Sequence, residues 1–196
     1  MLRYAITSGT EAEPGEGNVS QARVWAFEGL DYVQLREKRL EAGDLVRVAR
    51  AMVEVFREAD ARTKLLVNGR ADVAVAAGAD GVHLTSRPGE LTVEQVRRVF
   101  AEAGRVAPVV SSSCHTLEDV RRAVDGGVDL VLFGPVFEKR VKGVVVAAGV
   151  GMEALQEACE VAAGTPVLAL GGVTRADMAL CVDAGAAGVA GIRLFG

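Results

Sequence analysis

The chain has 196 residues, half of them apolar, few aromatics and a net charge of -4. That length suits one domain with a substantial core, and the mild negative charge excludes a general nucleic-acid or membrane surface, so basic residues matter only where they cluster. The three cysteines, Cys114, Cys159 and Cys181, lack metal-type spacing, and no signal-like or bilayer-length apolar run occurs, so a cytoplasmic protein with a small-molecule partner is expected, without nucleic acid or membrane.

In chain order, Arg3 to Ser8 reads as a short strand, followed by an acidic Gly/Pro loop and a helix from near Val19. The stretch Tyr32-Val33-Gln34-Leu35-Arg36-Glu37-Lys38 then turns from apolar to basic. Side chains two apart in a strand share a face. Gln34, Arg36 and Lys38 therefore point one way, and Val33, Leu35 and Glu37 the other. Two cations and an amide on one face call for an anion or a pocket mouth; pairing of Arg36 and Lys38 with Glu37 is the plainer alternative. For Glu37 itself a structural pair is expected.

A formula recurs: Glu28-Gly29-Leu30-Asp31-Tyr32-Val33, Ala77-Gly78-Ala79-Asp80-Gly81-Val82, Gly126-Gly127-Val128-Asp129-Leu130-Val131 and Ala184-Gly185-Ala186-Ala187-Gly188-Val189. Its glycines are spaced by 49, 49 and 58 residues, about two strand-helix units each. Between them lie strand-like runs at 63–68, 108–113 and 166–170. Helical runs include Asp44 to Phe56, with Leu45, Val48, Ala49, Met52 and Val55 on one face, and Leu117 to Val124. Eight strand-helix alternations over 1–196 predict a single-domain α/β fold, a (β/α)8 TIM barrel; a doubly wound open sheet is the alternative. No full helix can follow Arg193 in the residues given, leaving a gap for the N-terminal loop or a second subunit to cover. Homo-oligomer formation is left open.

The extra length in the third interval falls after the sixth strand, from Glu138 to Gly151, where a lid is expected. Sites in such barrels lie at the carboxyl ends of the strands, where Arg36, Lys38, Asn68, Ser113, His115, Lys142, Gly171 and Gly172 should converge. Gly171-Gly172 after strand seven, with Gly191, Ile192 and Arg193 after strand eight, suit a phosphate site; tight turns alone are the other explanation. His83 should project into the barrel as a satisfied core imidazole, whereas His115 is an acid-base candidate. Cys114, on the opposite face, is a small core residue.

Six ordered motifs now carry a resemblance: Gln34-Leu35-Arg36-Glu37-Lys38, Asn68-Gly69-Arg70-Ala71-Asp72-Val73-Ala74, Gly78 to Leu84, Ser113-Cys114-His115-Thr116-Leu117-Glu118, Phe133-Gly134-Pro135-Val136-Phe137 and Ala169-Leu170-Gly171-Gly172-Val173. The chain resembles the thiamine phosphate synthase/TenI superfamily, (β/α)8 barrels that handle a thiazole phosphate. The resemblance implies that Gln34, Arg36 and Lys38 hold a pyrimidine diphosphate and that Asn68 and Ser113 also bind substrate. Two motif positions that supply magnesium carboxylates in the synthases read Asn68-Gly69-Arg70 and Thr85-Ser86-Arg87-Pro88 here, without an acid. Of the synthases' thiazole-phosphate loop only Lys142 remains.

The lost acids and the Phe137-Glu138 context resemble the thiazole tautomerases of the same superfamily, which need no metal. This chain nevertheless has Pro135 where those proteins carry a histidine. A metal-free tautomerase, with His115 and Lys142 as catalytic residues, is therefore expected. The alternatives are a magnesium-dependent synthase joining pyrimidine diphosphate to thiazole phosphate, and a non-catalytic or regulatory phosphate-ligand binder.

Overall fold

The structure, a computed structural model, describes residues 1–9, 16–85, 89–141 and 144–195, with backbone only at 139–141 and 144–147. Eight parallel strands close into a barrel: β1 (Leu2–Ile6), β2 (Tyr32–Leu35), β3 (Lys64–Asn68), β4 (Gly81–Leu84), β5 (Val109–Cys114), β6 (Leu130–Phe133), β9 (Val167–Leu170) and β10 (Gly188–Gly191). They neighbour one another in the order β1, β10, β9, β6, β5, β4, β3, β2, with β2 returning to β1. The (β/α)8 expectation therefore holds and the open sheet does not.

Helices α1 (Glu16–Glu28), α2 (Ala42–Glu58), α3 (Ala71–Ala77), α4 (Val93–Glu102), α5 (Leu117–Asp125), α6 (Gly151–Val161) and α7 (Met178–Asp183) form the outer ring. The first begins three residues before Val19. Helix α2 buries Leu45, Val48, Ala49, Met52, Val55 and Phe56, the stripe its 3.6-residue periodicity dictates. Helices α4 and α5 start on reciprocal capping boxes, Thr92 with Gln95 and Thr116 with Asp119, which satisfy amides that helix starts otherwise leave unpaired. Among the described residues no helix is long and apolar enough to cross a membrane.

The recurring sequence formula has a local physical meaning. Its glycines, Gly29, Gly78, Gly127 and Gly185, all have positive φ, from 64 to 97°, a conformation that ends a helix cheaply only without a Cβ. Three of the four copies then place an aspartate before the next strand. Its carboxylate accepts the backbone N–H of the preceding neighbour strand: Arg3 to Asp31, Leu65 to Asp80 and Val110 to Asp129, each at 2.8 Å. The repeat thus couples a helix stop to a strand-pairing pin. Ala187 breaks it in the fourth copy, where only the backbone bond to the preceding strand common to all four copies remains, Ala187 N–H to Val167 O at 2.8 Å.

Strand parity sorts the core into two. Val33, Leu35, Leu65, Val67, Val82, Val110, Cys114 and Val131 point outward into the layer beneath the helices. Tyr4, Ile6, Leu66, Leu130, Leu132, Leu168 and Ala190 fill the barrel interior. Cys114 is fully buried in the outer layer, as its parity predicts.

The extra segment after β6, where a lid is expected, contains an antiparallel ribbon, β7 (Lys139–Val141) with β8 (Val144–Ala147). Beyond β10 the described residues still pack onto the barrel. Leu194 and Phe195 are buried, and the Trp25 indole N–H of α1 donates to Phe195 O at 3.2 Å. That contact closes the edge between β10 and α1.

Candidate active site

The upper interior of the barrel is polar along β1 to β5. Gln34, from β2, is 1% exposed, a burial that an amide tolerates only when bonded. Its Nε2 donates to Asn68 Oδ1 at 2.8 Å, and its Oε1 lies 3.4 Å from the Tyr4 hydroxyl. Tyr4 also meets Ser111 Oγ at 3.1 Å. His83, on β4 and paired in the ladder with Asn68, bonds both serines of β5: Nδ1 with Ser111 Oγ and Nε2 with Ser113 Oγ, each at 2.8 Å. One continuous chain of bonds therefore runs from Asn68 through Gln34, Tyr4, Ser111 and His83 to Ser113. Its two ends, Asn68 and Ser113, are the half-exposed members.

Electrostatics follow from this burial. Desolvation, and then the positive charge of Arg36, push the His83 imidazole down to about pH 3. The charge of Arg36 thus acts across the same mouth. Burial pushes the Tyr4 phenol well above its usual range, so it too is neutral. His83 is accordingly the satisfied interior imidazole that its parity predicts.

A pH dependence follows. The unfolded imidazole takes up a proton near pH 6.5, whereas the folded one stays neutral down to about pH 3. Unfolding therefore binds a proton within that window. The contribution is fully present above pH 6.5 and is lost as pH falls towards 3. Urea unfolding is expected to show about 2 kcal/mol less stability at pH 5 than at pH 7 from this group. The slope should flatten by about one proton in His83→Gln; an unchanged slope would show that His83 is not held neutral.

The other expected site residues divide. Arg36 follows β2 at the rim, half-buried, its backbone N–H donating to Thr7 Oγ1 at 2.9 Å. Lys38 is exposed on the following turn. Glu37 is buried, 8% exposed, and among the described residues its Oε1 has no hydrogen-bond partner, so the structural pair expected for it is not made there by that oxygen. His115 is exposed, its Nδ1 bonds Gly134 O, and its backbone N–H donates to Asp119 at 3.0 Å. It stands at the rim beyond β5, outside the chain of bonds that includes Ser113. Lys142, Arg87 and Pro88 lie outside the described residues.

Gly171 and Gly172 have φ of 90 and 69°. A Cβ on Gly171 would lie 2.6 Å from Pro135, and one on Gly172 2.7 Å from Phe137 and the Glu138 carbonyl. The segment after β6 is therefore seated on the end of β9, through Val136 N–H to Leu170 O at 2.8 Å and Phe137 N–H to Gly171 O at 3.0 Å. Close packing alone requires both glycines. Gly191 ends β10, and Ile192 and Arg193 are exposed beyond it.

Sequence reasoning passed over three participants. Tyr4 and Ser111 share inward parity with Ile6 and Ser113, so strand alternation could have found them. Glu90 is different, because it lies on the loop after β4. Its Oε2 sits 3.7 Å from where a Cβ on Gly69 would be, and its Oε1 accepts from Thr85 Oγ1 at 2.9 Å. A carboxylate thus occupies the surroundings of Gly69 although residue 69 supplies none.

Fold and mouth together define a (β/α)8 barrel with a polar, cation-rimmed opening at the carboxyl ends of its strands, the face on which such barrels bind small molecules. A family model described as thiamine monophosphate synthase matches residues 3–195, and the chain belongs to that family. It is 38% identical over 187 residues to the thiamine-phosphate synthase of Methanoculleus marisnigri, covering 95% of this chain and 83% of that one. It is 37% identical over 184 residues to that of Anaeromyxobacter dehalogenans, covering 94% and 75%. A solved thiamine phosphate pyrophosphorylase from Pyrococcus furiosus superposes with a TM-score of 0.79 at 26% identity, covering 97% of this chain and 85% of that one.

Proposed function

We propose that the protein is a thiamine-phosphate synthase, a transferase that joins a pyrimidine diphosphate to a thiazole phosphate with release of diphosphate. The order expected from sequence, tautomerase first, is thereby reversed. The relatives reported above carry the synthase name, and Glu90 answers the missing acids that favoured the tautomerase.

Glu90 is the observation that carries this reading. Magnesium bound to a diphosphate needs hard oxygen ligands, typically one or two carboxylates besides the phosphate oxygens. Glu90 offers one, oriented by Thr85 and placed beside Gly69. The residues present therefore fit the ion, and Glu90 would hold it. When bound, magnesium neutralises charge on the departing diphosphate.

The remaining roles belong to the chain's own groups. Arg36 and Lys38 take diphosphate oxygens, Arg36 with a planar fork suited to them. Gln34, Asn68 and Ser113 orient the pyrimidine end. Gly171, Gly172, Gly191, Ile192 and Arg193 surround the thiazole phosphate, and Lys142 supplies a further cation for it.

His115 supports a second reading. A carbonyl only accepts, so the bond with Gly134 O requires the proton on Nδ1, and in the neutral tautomer Nε2 is then the acceptor, which is what a tautomerase requires. One NMR time course separates the two. Purified protein is given the non-aromatic thiazole carboxylate phosphate, and pyrimidine diphosphate, thiazole phosphate and magnesium are added midway. Thiamine phosphate formed only after the second addition is the expected result. Aromatisation above the spontaneous rate before it would replace the synthase reading with the tautomerase; no change in either half would leave a binding protein.

A further inference from the structure

We propose that the Tyr4 phenol sets the direction of the hydrogen-bond chain beneath the mouth, so that Asn68 presents donors and Ser113 presents an acceptor to the ligand. This holds for any ligand of the site and does not depend on which reaction follows.

The chain can run in only two directions, because each hydroxyl has one proton to give. Gln34 Oε1 is a buried acceptor, and among the described residues its one donor is the Tyr4 hydroxyl at 3.4 Å. The bond is long, yet without it Gln34 Oε1 would face the phenol oxygen with no hydrogen between them, and buried acceptors are rarely left so. With the phenol proton committed to Gln34, Ser111 donates to the phenol oxygen at 3.1 Å. Its own proton thus used, Ser111 Oγ accepts from His83 Nδ1–H at 2.8 Å.

A neutral imidazole protonated on Nδ1 has a bare Nε2, which accepts a hydrogen bond from the Ser113 hydroxyl at 2.8 Å. Ser113 is left with lone pairs facing the mouth. On the other arm, Gln34 turns its amide nitrogen to Asn68 Oδ1 at 2.8 Å, which turns the Asn68 amide hydrogens outward. The mouth therefore selects a ligand edge with an acceptor on the β3 side and a donor on the β5 side. Tyr4, Ser111 and His83 are positioning residues in this scheme, since none of them reaches the opening.

Reversal is built in. Were the phenol proton sent to Ser111, every bond from Ser111 to Ser113 would invert, His83 would carry its proton on Nε2, and Ser113 would become a donor. The tautomer of His83 therefore reports the direction.

The test is nitrogen-15 NMR of the ligand-free protein at pH 7, with labelled histidine in a His115→Gln background so that only His83 is observed. A protonated Nδ1 and a bare Nε2 are expected. Tyr4→Phe leaves Ser111 without an acceptor, frees its proton for Nδ1 and should move the imidazole proton to Nε2. Gln34→Met, which keeps the phenol but removes its acceptor, should produce the same switch without touching Tyr4. An Nε2–H tautomer in the parent protein would overturn the proposal, as would an Nδ1–H tautomer retained in whichever of the two variants folds. Because no substrate is involved, this outcome is independent of the NMR time course that tests the transferase.

Discussion

Arg36→Ala is expected to lower kcat for thiamine phosphate formation by about 100- to 1,000-fold, the scale for removing a group aimed at charge that develops in the transition state. The side chain is half-buried at the rim, and its structural bond to Thr7 is made by the backbone N–H, so the fold should survive the substitution. Arg36→Lys should recover only part of the rate, since an ammonium cannot reproduce the two-pronged contact of a guanidinium with phosphate. Steady-state kinetics with pyrimidine diphosphate varied would check this. Wild-type kcat in Arg36→Ala would remove the guanidinium from the chemistry.

Glu90→Gln is the second substitution of large expected effect. It keeps the shape of the side chain and an oxygen for Thr85 Oγ1 to donate to, but removes the charge. Affinity for Mn2+, used as a spectroscopic stand-in for magnesium in the presence of diphosphate, should fall by at least roughly 10-fold, and turnover should need correspondingly more magnesium. Restoring a carboxylate from the other side of the same space gives a stricter check. Gly69 has φ of 65°, a region aspartate tolerates better than most residues, so Gly69→Asp added to Glu90→Gln should regain Mn2+ binding. Unchanged Mn2+ affinity in Glu90→Gln would exclude this carboxylate.

Fold and site were legible in the sequence to different depths, for a physical reason. The barrel could be read because each Gly-x-Asp copy records two backbone events at once, a left-handed helix stop and a carboxylate pin on the neighbouring strand. Such events need particular residues at fixed spacing. Strand parity likewise placed Gln34 and His83 inward and Cys114 outward. Parity fails where strands end. It put His115 with Ser113, yet the chain turns into α5 there, and the Asp119 cap holds the backbone of His115 at the rim. It says nothing of Glu90, whose position depends on a loop path. The ribbon of β7 and β8 was hidden because a glycine-dotted, β-branched run suits an irregular lid as well as a hairpin.

The barrel interior has two halves of different character: on β1 to β5 bonded polar groups interleave with Ile6 and Leu66, whereas β6, β9 and β10 contribute only Leu130, Leu132, Leu168 and Ala190 to the buried cluster. The aliphatic half is constrained by volume, and swaps that conserve volume cost little there. The polar half is constrained by proton count, so any single replacement strands a buried partner, at about 1–3 kcal/mol. Among descendants of this chain, leucine positions can therefore drift one at a time. Tyr4, Gln34, His83, Ser111 and Ser113 can change only in matched pairs, and correlated substitution across those five positions is the historical trace such an interior leaves.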